Sequence, residues 1–99
     1  MNEVYTDASI VKRAPDQVSS DMAGETIILD MKAGLYFGMQ EVAGLIWSLL
    51  EKPRTVGEIR EAIMREYEVD QESCQHDLTL FLHRMESLSL IEIENGTGA

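Results

Sequence analysis

The sequence predicts an α+β domain, and three observations carry that prediction. Between Gln17 and Met39 the apolar residues recur with a period of two, the repeat of a strand. From Gln40 onward they recur at helical spacing. The two regimes follow one another directly, so strands and helices segregate along the chain instead of alternating. The expected architecture is about three antiparallel strands followed by three helices.

Met1 to Ser9 is polar and unpatterned and is expected to form a loose N-terminal tail, 1–9, ahead of one domain over 10–94. Ile10 to Arg13 suits a short extra strand stopped at Pro15. Val18, Ser20 and Met22 share one face of the next strand, and Ala23-Gly24 turns the chain into "ETIILDM". There Ile27, Leu29 and Met31 alternate with Ile28 and Asp30. Lys32-Ala33-Gly34 reads as a short hairpin loop whose glycine can take positive φ, and "LYFGM" follows as the last strand of a meander.

In "QEVAGLIWSLLEK" the residues Val42, Ile46, Leu49 and Leu50 fall at helical spacing, Leu45 and Trp47 widen the stripe, and Pro53 stops it. Thr55-Val56-Gly57-Glu58 is a capping-box signature, opening a helix that buries Val56, Ile59, Ala62 and Ile63 and ends near Tyr67. Asp70 suits the N-cap of a third helix, with Glu72 near its positive end. Cys74, Leu78, Phe81, Leu82, Met85 and Leu88 run along it. Two helices joined by a brief turn beside a sheet predict a winged helix-turn-helix-like arrangement. Residues 95–99, glycine-rich, are expected to form a C-terminal tail.

At 99 residues the chain can bury a modest core without metals or disulfides. Its single cysteine cannot form an internal bridge, the N-terminal residues lack the pattern of a secretory signal, and no apolar run approaches the roughly 18 to 20 residues that span a bilayer. A cytoplasmic location is expected, with no membrane span. Net charge is −10, from 18 acidic and 8 basic residues. Beyond Lys12-Arg13 there is no basic cluster to neutralise phosphates, which argues against a nucleic-acid partner.

Candidate chemistry fails inspection. His76 and His83 are seven apart on one helix, roughly 10 Å, too far to share a metal. Cys74 lies on the apolar stripe, where a buried structural thiol is the better reading. Asp70, Glu72 and Asp77 lack the spacing and glycine of a calcium loop. There is no phosphate-cradling loop, nucleophile elbow or Cys-x-x-Cys pair, so neither catalytic residues, a metal nor a cofactor is expected.

One feature asks for a partner. In "LYFGM" Leu35, Phe37 and Met39 take one face, leaving an aromatic, Tyr36, and a bare backbone, Gly38, on the face that ought to meet water. The strand carries no charge or proline to blunt an edge, and such an edge recruits another strand. On the third helix Asp77, Phe81, Arg84 and Leu88 form a line one step round from the core line Leu78, Leu82 and Met85, suited to flank a groove. For Leu35, Phe37, Phe81 and Leu88 plain core is an equally good reading.

From about Val18 to Ile93 the chain resembles the PqqD-like proteins, also called RiPP recognition elements. The marks are Leu29-Asp30, Gly34 with Tyr36, Met39 before the first helix, Ile46-Trp47 with Leu50, Thr55-Val56 with Ile59, Tyr67 with Val69-Asp70, and Asp77 with Phe81-Leu82. Their order and spacing together carry the resemblance. The chain departs from the family where Gln40 replaces a common asparagine and Ser89 a common glycine.

The resemblance implies a non-catalytic module that binds the leader segment of a ribosomally made precursor peptide. The leader adds as a strand to the last strand of the sheet, in a groove bounded by the third helix. The implied peptide-binding residues are Leu35, Tyr36, Phe37, Gly38, Met39, Asp77, Phe81, Arg84 and Leu88. The front end looks most like the stand-alone proteins of lasso-peptide clusters, whose partners are a leader peptidase and a cyclase. The alternative is an escort of the pyrroloquinoline quinone precursor to a radical enzyme. A third reading is a winged-helix regulator with Gln71, Gln75 and Thr79 reading bases. The free strand edge also allows a homodimer.

Overall fold

The computed structural model describes residues 5–22 and 25–94. The order of elements is β1 (Ile10–Arg13), β2 (Gln17–Met22), β3 (Glu25–Asp30), β4 (Leu35–Met39), α1 (Val42–Leu49), β5 (Arg54–Thr55), α2 (Val56–Glu66), α3 (Gln71–Ser87) and β6 (Ile91–Glu94). The class is α+β, with three helices and antiparallel strands. The Ala23-Gly24 turn and the proposed C-terminal tail lie outside the described residues.

The predicted meander is present as the sheet β2-β3-β4. Its register aligns Val18 with Leu29 and Leu29 with Tyr36, while Ser19, Ile28 and Phe37 form the next rung on the opposite face. Ile28 is fully buried and Met39 nearly so, which fixes the inner face. The hairpin into β4 is held by Asp30, whose carboxylate accepts from the amides of Lys32 and Ala33 at 3.0 and 3.2 Å. Gly34 takes φ +69, a left-handed conformation that glycine adopts without penalty.

The count of about three strands needs correction, because a second antiparallel sheet, β5-β1-β6, stands beside the meander. β6 returns after α3 to pair with β1, Ile91 opposite Arg13 and Glu94 opposite Ile10. "IEIE" does alternate, with Ile91 buried and Ile93 half-buried, but its partner β1 lies at the other end of the chain, so no local signal marks the pairing. β5 is two residues long, too short for any periodicity to show. Residues 5–9, placed by the sequence in a loose tail, are packed. Tyr5 and Ser9 are buried, Ser9 O accepts from the Val56 amide at 2.9 Å, and Asp7 binds Arg60 through both oxygens at 2.6 and 2.8 Å. The reason is nonlocal: Asp7 meets a cation on α2.

The helices follow the sequence closely. Thr55 and Glu58 complete the capping box at 3.1 and 2.8 Å. Asp70 caps α3 by accepting from the Ser73 amide at 2.8 Å, and that hydrogen bonding holds its carboxyl below the ordinary value. α1 starts differently: its N-cap is Glu41 at φ 52, without a side-chain capping bond, while Gln40 donates its carboxamide to Glu25. The core gathers Ile46, Trp47, Ile59, Ile63, Leu78 and Leu82 from the three helices onto Val11, Ile28 and Met39 of the sheets. The plane of Arg13 stacks on the Trp47 ring at 4.4 Å and donates to the Trp47 carbonyl, tying β1 to α1.

Candidate functional site

β4 is hydrogen-bonded on one side only, to β3, so one row of its amides and carbonyls is unpaired in the sheet. Exposure along it is graded. Leu35 and Tyr36 are 52% and 72% exposed, Phe37 is half-buried against the core, Gly38 is exposed and Met39 is buried. The apolar face is therefore continuous with the core at Met39 and emerges toward Leu35. At Gly38 the nearest atoms an added Cβ would meet are those of the Glu25 carboxylate, at 3.6 Å, so a flexible side chain and not backbone covers the outer face there.

β4 packs on α1, to which it leads directly. Beside that junction lies a mainly apolar cleft of about 250 Å³ between α1 and α3. Val42, Ala43 and Ile46 of α1 face Asp77, Leu78 and Phe81 of α3, and Ile63, Val69 and Cys74 complete the lining. Helical spacing explains the α3 side, since residues 77, 78 and 81 fall on neighbouring turns. Burial raises the pKa of the Cys74 thiol despite Arg60 nearby, which disfavours the thiolate form.

Of the nine residues singled out by sequence, the structure gathers the five of β4 on the free edge and places Asp77 and Phe81 in the adjacent cleft. Arg84 and Leu88 lie further along α3, both exposed, with Leu88 as its C-cap, and neither lines the cleft. Sequence reasoning missed Val42, Ala43 and Val69. Val42 was assigned to a core stripe and Ala43 to no role, although their position directly after β4 places them at its end.

The surface read as a base-reading face is engaged elsewhere. The Gln75 carboxamide oxygen accepts from Arg60 at 2.8 Å, and Thr79 donates to the Gln75 carbonyl at 2.8 Å. Arg60 is in turn held by Asp7. His76 and His83 are exposed, and His83 stacks on Tyr5 at 4.8 Å between ring centroids. Among the described residues no group of three His, Cys, Asp or Glu side chains is placed to hold a metal, and no helix is long and apolar enough to cross a membrane.

An α+β domain with an unpaired strand edge beside an apolar cleft has the build of a peptide-recognition module. Comparison with known proteins gives its family. Residues 25–91 match the family model described as coenzyme PQQ synthesis protein D (PqqD), and the chain belongs to this family of PqqD-like RiPP recognition elements. Comparison with curated proteins gives no match. Among solved structures, the chain is similar to TbiB1 in complex with the TbiA(beta) leader peptide, at 37% identity over 82% of this chain and 94% of that one, with a TM-score of 0.77. It shares its fold with lasso peptide synthetase B1 complexed with the leader peptide, at 18% identity over 83% and 96%, with a TM-score of 0.72.

Proposed function

We propose that this protein binds the leader segment of a ribosomally synthesised precursor peptide by adding it as a strand to β4, and delivers the precursor to a lasso-type leader peptidase and cyclase in the cytoplasm. The observation that carries the reading is the unblunted β4 edge, on a strand that leads directly into α1, one wall of the apolar cleft between α1 and α3. Backbone hydrogen bonds along the edge would supply affinity, and alternate leader side chains entering the cleft would supply selectivity. Phe81, Val42 and Ala43 offer an apolar seat, and Asp77 offers a charge to read at its rim. The protein's role is non-catalytic: it positions one substrate for enzymes that do the chemistry. The similarity to two leader-peptide complexes supports this reading over escort of a cofactor precursor, and the engagement of Gln75 and Thr79 weighs against the DNA-binding one.

The test is an amide perturbation map with the TbiA(beta) leader peptide as probe. Resonances of Leu35 to Met39, Val42, Ala43 and Asp77 to Leu88 should move most. A map centred on Gln71, Gln75 and Thr79 would overturn the site.

A further inference from the structure

We propose that Glu25 is a specificity-determining residue of the peptide site: its carboxylate, laid over Gly38, reads a cationic side chain of the leader two residues away from the one that meets Tyr36. The inference rests on the leader reading above and deepens it, since it names the charge that the bound segment carries at one position. Glu25 stands on β3 and is none of the residues already assigned to the site.

β3 and β4 pair with Ile27 opposite Gly38 and Leu29 opposite Tyr36, and the buried Ile28 and Met39 mark the inner face. Glu25, Ile27 and Leu29 therefore share the outer face with Tyr36 and Gly38. Gly38 has no side chain to fill its part of that face, and the Glu25 carboxyl atoms lie 3.6 to 3.8 Å from where its Cβ would stand. Gln40, directly after β4, donates its carboxamide to the same carboxylate. A carboxamide is neutral, and among the described residues no Lys, Arg or His stands within ion-pair distance of Glu25. No cation of the protein offsets this carboxylate, which is held in place beside the free edge.

A strand added along β4 puts alternate side chains on that outer face, and those beside Tyr36 and Gly38 are two residues apart whichever way the strand runs. The outer face changes chemistry over the same step. Tyr36, 72% exposed, presents a ring to one added side chain. The Cβ of the other would stand roughly 5 Å from the Cβ position of Gly38, which brings a Lys or Arg head within reach of the Glu25 carboxylate and sets an Asp or Glu against a like charge. The net charge of −10 favours cationic peptides in general but selects no position along them. One held carboxylate does select a position.

The test scans the TbiA(beta) leader peptide, each position replaced in turn by Lys and by Glu, with affinities read by fluorescence polarisation against the parent, Glu25→Gln, Glu25→Lys and Gln40→Ala. The readout at each position is the ratio of the two affinities. At one position Glu25→Gln should lower the preference for Lys by about two- to fivefold, the range of a partly exposed ion pair, and leave the other positions as in the parent. Glu25→Lys should lower it further, and high salt should shrink the difference. Gln40→Ala keeps the carboxylate and should keep the preference. A second scan with Leu and Ser, read through Tyr36→Ser, should single out the position two residues away. If no position responds to Glu25→Gln, or if Gln40→Ala removes the preference as fully as Glu25→Gln does, the charge reading is overturned. A separation other than two overturns the shared outer face. Failure of the unsubstituted peptide to bind the parent overturns the leader reading and this inference with it, whereas binding without a Glu25-dependent position overturns this inference and leaves the leader reading standing.

Discussion

On one edge of the meander, β2, polar side chains bond to the rest of the protein; on the other, β4, the inner side chains Phe37 and Met39 join the core and the outer face is left exposed. Gln17 of β2 donates to the Leu90 carbonyl at 2.8 Å, and Asp21 accepts from the Thr26 hydroxyl at 2.8 Å. The cleft beside β2 is polar, about 270 Å³, with Asp21, Ser48 and Glu51 around the stacked Arg13 and Trp47. Beside β4 the cleft is apolar and the strand carries neither charge nor proline. Two edges of one sheet thus meet water on different terms. An anionic residue and a pinned amide make β2 a poor template for a further strand, whereas β4 keeps its backbone groups available. The difference lies in side chains alone, since both strands pair with the same β3.

The largest effect should come from the residue that supports the β2 side. Trp47 is 2% exposed, and Trp47→Ala should cost about 3 to 5 kcal/mol of stability by loss of packing, with the stack on Arg13 lost too. Chemical denaturation followed by far-UV circular dichroism measures this. Retention of full stability would mean that the β2 side does not depend on the indole.

Proline substitutions compare the two edges directly. Successive amides of an edge strand point alternately inward to β3 and outward, and proline is tolerated mainly where the amide points outward. Tyr36→Pro and Phe37→Pro should therefore differ. One should lose about 3 kcal/mol or more, and the other should stay folded yet lose leader binding in calorimetry, with Tyr36→Ala and Phe37→Ala as controls for the side chains. Ser19→Pro and Ser20→Pro on β2 should split the same way in stability, but the folded variant should bind the leader as the parent does. Equal unfolding by both β4 variants would mean that strand is not an edge, and full binding by its folded variant would exclude strand addition there.

How far the sequence reveals this contrast depends on the range of the interactions. The β4 edge was legible because its signal is local: five residues whose outer face holds Tyr36 and Gly38. The caps at Thr55 and Asp70 were legible for the same reason, each closing within three residues. What stayed hidden is long-range. β6 pairs with β1 across nearly the whole chain, Tyr5 reaches Glu86 at 2.7 Å, and Asp7 finds Arg60. No periodicity encodes such partners. The cleft was half-legible, since the α3 line gave Asp77 and Phe81 but could not say that Val42 and Ala43 face them.

Acid should act through the contacts that Asp7 and Asp70 make with α2 and α3. The Arg60 guanidinium holds the Asp7 carboxyl below its ordinary 3.8, and the capping bond at Ser73 does the same for Asp70. A folded-state value below the unfolded one gives stability that is present above the unfolded value, about 4, and lost as pH falls through the folded value. Stability should therefore drop below about pH 4, and Asp7→Asn should remove part of that dependence. If Asp7→Asn leaves the acid limb of the stability profile unchanged, the Asp7–Arg60 pair is not felt in the folded state.

The smallest expected effect tests the anchor of the β2 edge. After its C-cap Leu88, α3 closes with the Leu90 amide on the Met85 carbonyl at 3.0 Å and the Ser89 amide on the Glu86 carbonyl at 2.9 Å. This is the Schellman arrangement, which requires a left-handed residue at position 89, and Ser89 has φ 62. The same turn presents the Leu90 carbonyl to Gln17 of β2. A non-glycine residue in that conformation costs roughly 1–2 kcal/mol, while glycine adds about 0.5 to 1 kcal/mol of backbone entropy to lose on folding. The two nearly offset, so Ser89→Gly should stabilise by up to about 1 kcal/mol, a rise of a few degrees in Tm for a domain of this size. Because the turn touches β2 and not β4, leader affinity should stay at the parent value. A stabilised variant with altered affinity would show that the two edges are coupled through the sheet, and a destabilised one that the Ser89 side chain contributes more than its backbone strain removes.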